Sequence, residues 1–291
     1  MTFENKYQNI KKLAQDEIKF IEDFMVQSVD IREPLKSHII NFFTAPSKRV
    51  RPLLSVLFYK SCCGEISDEQ LKALSAVEII HNASLIHDDI IDDSDTRRGL
   101  KTTANEFGNK LGVICGDYLL SVAMKIVTEL ASVELLKNFS NTLNKMCIGE
   151  INQNFGRFKI GTIDEYIEKS KNKTAYLFQT ALITPFLINN NKNSAASDFG
   201  INTGIAFQIR DDLLNLINSD DKKPVKNDIQ DGVYNAAVIY AGSVDNYADG
   251  VVKTRDLLDN YINQAHISLK YLPDNEYKEG LSDFLELLNN D

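Results

Sequence analysis

Between Glu78 and Thr103 an apolar helical rhythm runs straight into a knot of charge. Ile79, Ile80, Ala83, Leu85, Ile86, Ile90 and Ile91 recur at close to 3.6-residue spacing, and Asp88, Asp89, Asp92, Asp93 and Asp95 crowd the end of the run. On a helix Asp88 and Asp92 stack on one face, about 6 Å apart, with Asp89 beside them. Carboxylates placed like this repel one another unless a cation sits among them. A solvated acidic helix end is the plain alternative. The buried-looking helix that leads into the cluster, and Arg97 and Arg98 directly after it, weigh against that alternative.

The rest of the chain repeats the helical period. A stripe of Ile10, Leu13, Ile18, Ile21, Phe24 and Met25 predicts a packing helix within 4–30, and a second helix follows from about Pro34 to Phe43. Further helices are expected after Pro52, from an Asp68 cap into the opening stretch, from Tyr118, over 131–154, and from a Thr162/Glu165 capping box through Ser170. The apolar run AYLFQTALITPFLI and the segment from Ala195 to Ile217 continue the series. Helices of about 234–271, with a break near Gly250, and about 276–289 close it. Glycines 108, 112 and 116 either permit close backbone approach or mark a loop. No alternating strand pattern of length and no short-period repeat occurs.

Composition narrows the function classes. The 291 residues carry a formal net charge of -9, which argues against a nucleic-acid partner, because that affinity needs clustered Lys and Arg. The N-terminus lacks the apolar stretch of a signal peptide, and no run approaches the roughly 18 apolar residues of a spanning helix. A cytoplasmic protein without stable membrane insertion is the expectation. Cys62, Cys63, Cys115 and Cys147 have no metal-finger spacing and are expected to be buried free thiols.

Basic residues accompany the acids. Lys48, Arg49 and Arg51 precede Pro52 at a helix N-terminus, where cations are locally unfavourable unless an anion such as phosphate joins them. A second acidic pair, Asp211 and Asp212, closes a helix that carries Gly200 and Gly204 four apart, and Lys171, Lys173 and Thr174 lie upstream of it. Two acidic helix ends with nearby cations suggest a cavity in which carboxylates hold Mg²⁺ and Lys or Arg holds a diphosphate ester. An EF-hand around Asp93 and Asp95 fails, because Arg97 takes the next ligand position.

The stretches SKRVRP, SLIHDDIIDDSDTRRG, LGVICGDYLLS, KTAYLF and GIAFQIRDDLLN, in this order between about residues 40 and 245, resemble the motifs of the trans-isoprenyl diphosphate synthases, the polyprenyl synthetase family. The resemblance implies an all-α fold, a single domain over 1–291 built as one large helical bundle around a deep central cavity, usually homodimeric. It implies condensation of isopentenyl diphosphate with an allylic diphosphate. Asp88, Asp89 and Asp92 would hold two Mg²⁺ ions on the allylic diphosphate, and Asp211 and Asp212 a third. Arg97 would contact the allylic diphosphate. Lys48, Arg51, His81 and Arg98 would hold isopentenyl diphosphate, and Lys173, Thr174, Gln208 and Lys223 would line the allylic diphosphate and reaction centre.

Departures from the family pattern are local. Asn215 stands where a third aspartate is usual, and KKPVKND keeps Lys223 and Asp228 but has Lys222 and Lys226 in place of two glycines. These changes raise the alternative of a partner-dependent subunit of a heteromeric synthase, with a small subunit as partner; the intact first motif argues against it. An HD-type phosphohydrolase lacks a histidine set among His38, His81, His87 and His266. A terpene cyclase would not need Lys48, Arg51 and His81. Ala83 and Ser84, both small where short-chain members tend to carry an aromatic, point to a product from geranylgeranyl up to the hexaprenyl or heptaprenyl class. Leu119, Met124 and Met146 are candidate floor residues.

Overall fold

The computed structural model of the chain describes residues 3–217 and 229–289. The fold is all-α: the 3.6-residue stripes form helices, and the described residues hold a single two-stranded hairpin. The N-terminal stripe divides into α1 (Phe3–Lys12) and α2 (Gln15–Gln27), because the chain turns at Leu13 and Ala14. Then come α3 (Leu35–Thr44), α4 (Val50–Cys63) and α5 (Asp68–Ile91). Ser67, not Asp68, caps α5. Its hydroxyl accepts from the Gln70 amide while the Gln70 side chain accepts from the Ser67 amide, and Asp68 falls in the first turn, where the dipole favours its charge.

α5 is buried on nearly every face as far as Ile86, as an apolar helix of a large core must be. α2, α4, α7 (Asn109–Glu129) and α10 (Tyr176–Ile188) pack around it. Between α5 and α7 lie β1 (Thr96–Arg97), β2 (Leu100–Lys101) and α6 (Thr103–Phe107). α7 starts well before Tyr118, so Gly112 and Gly116 sit inside it rather than in a loop. A Cβ at Gly116 would fall 2.2 Å from His87 Nε2, so glycine here leaves room for the His87 ring between α5 and α7.

α8 (Val133–Phe155) and α9 (Ile163–Ser170) precede a wide π turn, Lys171–Ala175, which leads without a break into α10. The Thr162/Glu165 capping box of α9 is present as the sequence predicts. α11 (Ser194–Ile217) lies flat on α10, its Gly200 and Gly204 meeting the backbone at Gln179 and Ala175, where added Cβ atoms would lie 2.7 and 2.6 Å away. α12 (Ala236–Ala241), α13 (Ala248–Leu269) and α14 (Glu276–Asn289) close the bundle. The break expected near Gly250 falls instead at Gly242, whose φ of 61° ends α12 in the left-handed region; Gly250 lies within α13. One apolar cluster runs from Tyr7 in α1 to Leu288 in α14.

Two expectations need correction. All four cysteines are free, but only Cys115 is buried; Cys63, at the end of α4, and Cys147, on α8, are exposed. α7 is long and apolar enough, by length and composition, to cross a bilayer. Seven of its residues pack into the core, while Leu111, Val113 and Ile114 are exposed.

Candidate active site

α5 delivers the first acidic group. The helix ends at Ile91 with Asp92 as its C-cap, and the chain leaves through Asp93 at a φ of 48°. It then folds back in the β1–β2 hairpin, where Arg98 and Gly99 both take positive φ as a tight two-residue turn requires. The hairpin aims its two arginines at different targets. Arg97 Nε donates to Asp89 Oδ1 at 2.6 Å, and Asp89 is 2% exposed. Arg98 Nη1 donates to the Asn82 side chain and to the Phe42 carbonyl, both at 3.3 Å. Strands of two residues carry no readable period, so this device was invisible in the sequence. Asp93 and Asp95 are exposed, and the Asp95 carbonyl accepts from the Thr102 amide.

The N-terminus of α4 supplies the cations. Lys48, Arg51, His81, Arg98, Thr174, Gln208 and Asp211 share with Asp88 and Lys173 the lining of a cavity of about 310 Å³. Arg51 stacks over the Phe178 ring, 4.6 Å from its centroid, and its buried Nε has no partner, a donor suited to an anion. Arg49 is turned to structure. It pairs with Glu22 at 2.9 Å and with buried Glu78 at 3.4 Å, tying α2 and α5 to α4. Burial, reinforced by Arg51 and Arg98, holds the His81 imidazole well below its ordinary value, so it is neutral at pH 7 and offers hydrogen bonds rather than charge.

α11 brings the second acidic pair to the same space. Asp92, Lys173, Gln208, Asp211, Asp212 and Asn215 line an adjoining cavity of about 260 Å³ together with Arg157, Lys169 and Tyr234. Thr174 donates to Gln208 at 2.6 Å, and Gln208 donates to Asp212 Oδ1 at 2.8 Å. Tyr166 donates to the other Asp212 oxygen at 2.7 Å. Both oxygens of Asp212 are therefore fixed in direction. Lys173 sits between the two motifs, 2.8 Å from Glu150 Oε2. Burial alone would lower its pKa, but Asp88 and Glu150 more than offset this and raise it.

The carboxylates are short of positive charge. Burial, with Glu150 and Asp92 nearby, pushes Asp88 up to about 6. Burial and its neighbour Asp212 push Asp211 to about 6 as well. Among the described residues no three His, Cys, Asp or Glu side chains converge as a ready-made metal cage. An all-oxygen donor set of two carboxylate groups facing one cavity fits a hard divalent cation, which completes its shell with water and ligand phosphate. A testable consequence concerns stability. Because the folded pKa of Asp88 and Asp211 lies above the ordinary carboxylate value, the folded state holds these protons more tightly, and stability is gained as pH falls through about 6. In the metal-free chain an Asp88→Asn, Asp211→Asn double variant is expected to melt higher than wild type at pH 7, and the gap should narrow as pH falls through about 6 and close only below the ordinary carboxylate value of 3.8. A gap independent of pH would contradict the shifts.

Beyond Ser84 and Met146, which line both spaces, a largely apolar cavity of about 410 Å³ opens between α5, α7 and α8. Ile80, His87, Ile91, Leu120, Leu143, Cys147 and Ile151 line it. Ser84 faces this cavity, but Ala83 does not. Successive helix residues are about 100° apart, and Ala83 turns into the core at 0% exposure, as does Leu119. Of the expected site residues, Asp89, Arg97 and Ala83 line none of these cavities, and Lys223 lies outside the described residues. Sequence reasoning missed Glu150, Tyr166 and Arg157.

The chain is similar to known proteins in sequence and in fold. The sequence model of the polyprenyl synthetase family matches residues 32–266. A prenyl transferase of Cyanophora paradoxa is 34% identical, over 80% of this chain and 75% of that protein. A decaprenyl-diphosphate synthase of Dictyostelium discoideum is 30% identical, over 94% of this chain and 67% of its own. Among solved structures, a polyprenyl synthase from Caulobacter crescentus, complexed with calcium and isoprenyl diphosphate, superposes with a TM-score of 0.86 at 23% identity, covering 98% of each chain.

Proposed function

The chain belongs to the polyprenyl synthetase family, and from that membership we propose how its cavity works and how long a product it makes. It is a prenyltransferase that condenses isopentenyl diphosphate with an allylic diphosphate. The observation that carries the assignment of roles is a pair of adjoining cavities that Lys173, Gln208 and Asp211 both line: Asp92 and Asp212 face one, and Asp88 with Arg51, Arg98 and His81 faces the other. We assign the allylic diphosphate to the space between the acidic groups and isopentenyl diphosphate to the basic side, against Lys48, Arg51 and Arg98. Residues 1–291 are read as one domain.

Asp88, Asp92, Asp211 and Asp212 would hold Mg²⁺, about three ions per site when substrate is present, with Asp89 keeping Arg97 in place beneath them. Mg²⁺ bound there would stabilise the negative charge that develops on the departing diphosphate. Lys173 adds a fixed ammonium to the same task, preorganised by Glu150. As the allylic C–O bond breaks, its electron pair leaves with the diphosphate. The double bond of isopentenyl diphosphate attacks the allylic carbon, a C–C bond forms, and a proton is lost to the released pyrophosphate. Thr174 and Gln208 orient Asp212 and line the reaction centre. The apolar walls past Ser84 and Met146 keep water from the cation and receive the tail.

Tail length follows from that passage. Ser84 leaves it open, which supports a product beyond farnesyl, from geranylgeranyl up to the hexaprenyl or heptaprenyl class. The test is chromatography of products made by the purified chain with Mg²⁺, isopentenyl diphosphate and farnesyl diphosphate. Ser84→Phe is expected to shorten the product by one or more isoprene units with condensation retained. An unchanged distribution would place the floor elsewhere, and no elongation without a second protein would favour the heteromeric reading. The setting proposed is a cytoplasmic homodimer. The exposed Leu111, Val113 and Ile114 of α7 support it, since an apolar surface of this kind marks an interface. Light scattering should give twice the chain mass of 32.8 kDa.

A further inference from the structure

Arg157 lies in the loop after α8 and lines, with Lys173, the cavity that Asp92, Asp211 and Asp212 share. Its position is built into the loop. Phe158 takes a φ of 62°, its amide donates to the Gly232 carbonyl at 2.8 Å, and Gly232, at a φ of 72°, packs against the Phe158 ring. The 156–159 loop is thereby clamped to the 231–235 wall of the cavity. Arg157 Nη1 reaches the Asp231 carbonyl at a long 3.4 Å, and its buried Nε has no hydrogen-bond partner. Among the described residues it forms no ion pair, although Asp92, Asp211, Asp212 and Asp231 line the same space.

A guanidinium held in an acidic cavity without a carboxylate partner has donors to spare. A buried donor without an acceptor is costly, so the arrangement makes sense when an anion completes it. The fork of Nε and Nη atoms matches two oxygens of a diphosphate. We propose that Arg157 is a further binding residue for the allylic diphosphate, gripping it from the 156–159 loop. The proposal rests on the condensation reading above. It assigns a cation to this diphosphate from outside the acidic and lysine-bearing segments.

The test uses the full chain with Mg²⁺ and the variants Arg157→Ala and Arg157→Lys. KM is measured for geranyl, farnesyl and isopentenyl diphosphates, and magnesium pyrophosphate binding is measured by calorimetry. Arg157→Ala should raise KM for both allylic primers by one common factor, about 10-fold to 100-fold for a lost charge-assisted contact. KM for isopentenyl diphosphate should stay within about twofold. Pyrophosphate binding should weaken by a similar factor, and Arg157→Lys should restore part of it, since it keeps charge but loses the fork. An unchanged allylic KM with unchanged pyrophosphate binding overturns the proposal. So does an equal rise in all three KM values together with a lower melting temperature, which would mark a loop-holding role. Wild-type chain that binds pyrophosphate through Arg157 yet elongates no primer would defeat the condensation reading and leave this one standing.

Discussion

Asp88→Asn is expected to lower kcat by at least about a thousandfold while leaving the fold as stable as before, or more so. The side chain keeps its shape and loses its charge. One directed charge-stabilising group at a reaction centre is worth roughly 10²–10³ in kcat, and Asp88 combines that role with support of a metal that would act on the same oxygens. Stability should move the other way. Burial and the neighbouring Glu150 and Asp92 already push Asp88 up to about 6, so its charge at pH 7 costs the metal-free fold energy that Asn does not. Saturating-metal kinetics beside thermal melts make the check. A variant within tenfold of wild type would remove Asp88 from the metal set, and a large drop in melting temperature would show that the side chain holds structure instead.

Lys173→Ala should cost both activity and stability. The ammonium lies 2.8 Å from Glu150 and close to Asp88. Without it two partly buried carboxylates face each other with no counter-charge. Breaking a fully buried pair costs roughly 3–5 kcal/mol. At 32% and 20% side-chain exposure solvent takes up part of this, and about 1–3 kcal/mol is the expected loss. Turnover should fall by about 10²–10³, with the allylic KM rising as well, because the group acts on the bound diphosphate and more strongly on the departing one. Adding Glu150→Gln should return much of the stability and little of the turnover. Recovery of both would mean that Lys173 only neutralises Glu150.

The difference between these variants explains what the sequence could reveal. Apolar period placed α5 in the interior and Asp88 and Asp92 on one face, because 3.6 residues per turn fixes direction as well as helix. The same periodicity could not separate Asp89 from its neighbours. Its burial depends on Arg97 folding back through a hairpin whose strands are two residues long. Ala83 and Ser84 looked alike for a related reason: both are small neighbours on one helix, and only the packing shows Ala83 in the core and Ser84 on the cavity. Arg157 and Tyr166 belong to no repeating pattern, so only the folded chain could show what they face. Gly242 and Gly250 were indistinguishable as helix breakers until packing showed which one took a positive φ.

The π turn at 171–175 carries a consequence for how this chain can change over time. Its closing bond runs from the Tyr176 amide to the Lys171 carbonyl, five residues back, so the helix spends one more residue here than an α turn would. That surplus residue sets the angular phase between α9, which points Tyr166 at Asp212, and α10, which packs on α4 and α11. A substitution in the turn changes one side chain and leaves this phase as it is. Losing or gaining a single residue would turn one half of the continuous helix against the other by about 100°, and Lys173 and Tyr166 could not then both face the cavity. A changed letter here leaves the frame of turns in place; an added or lost one shifts it.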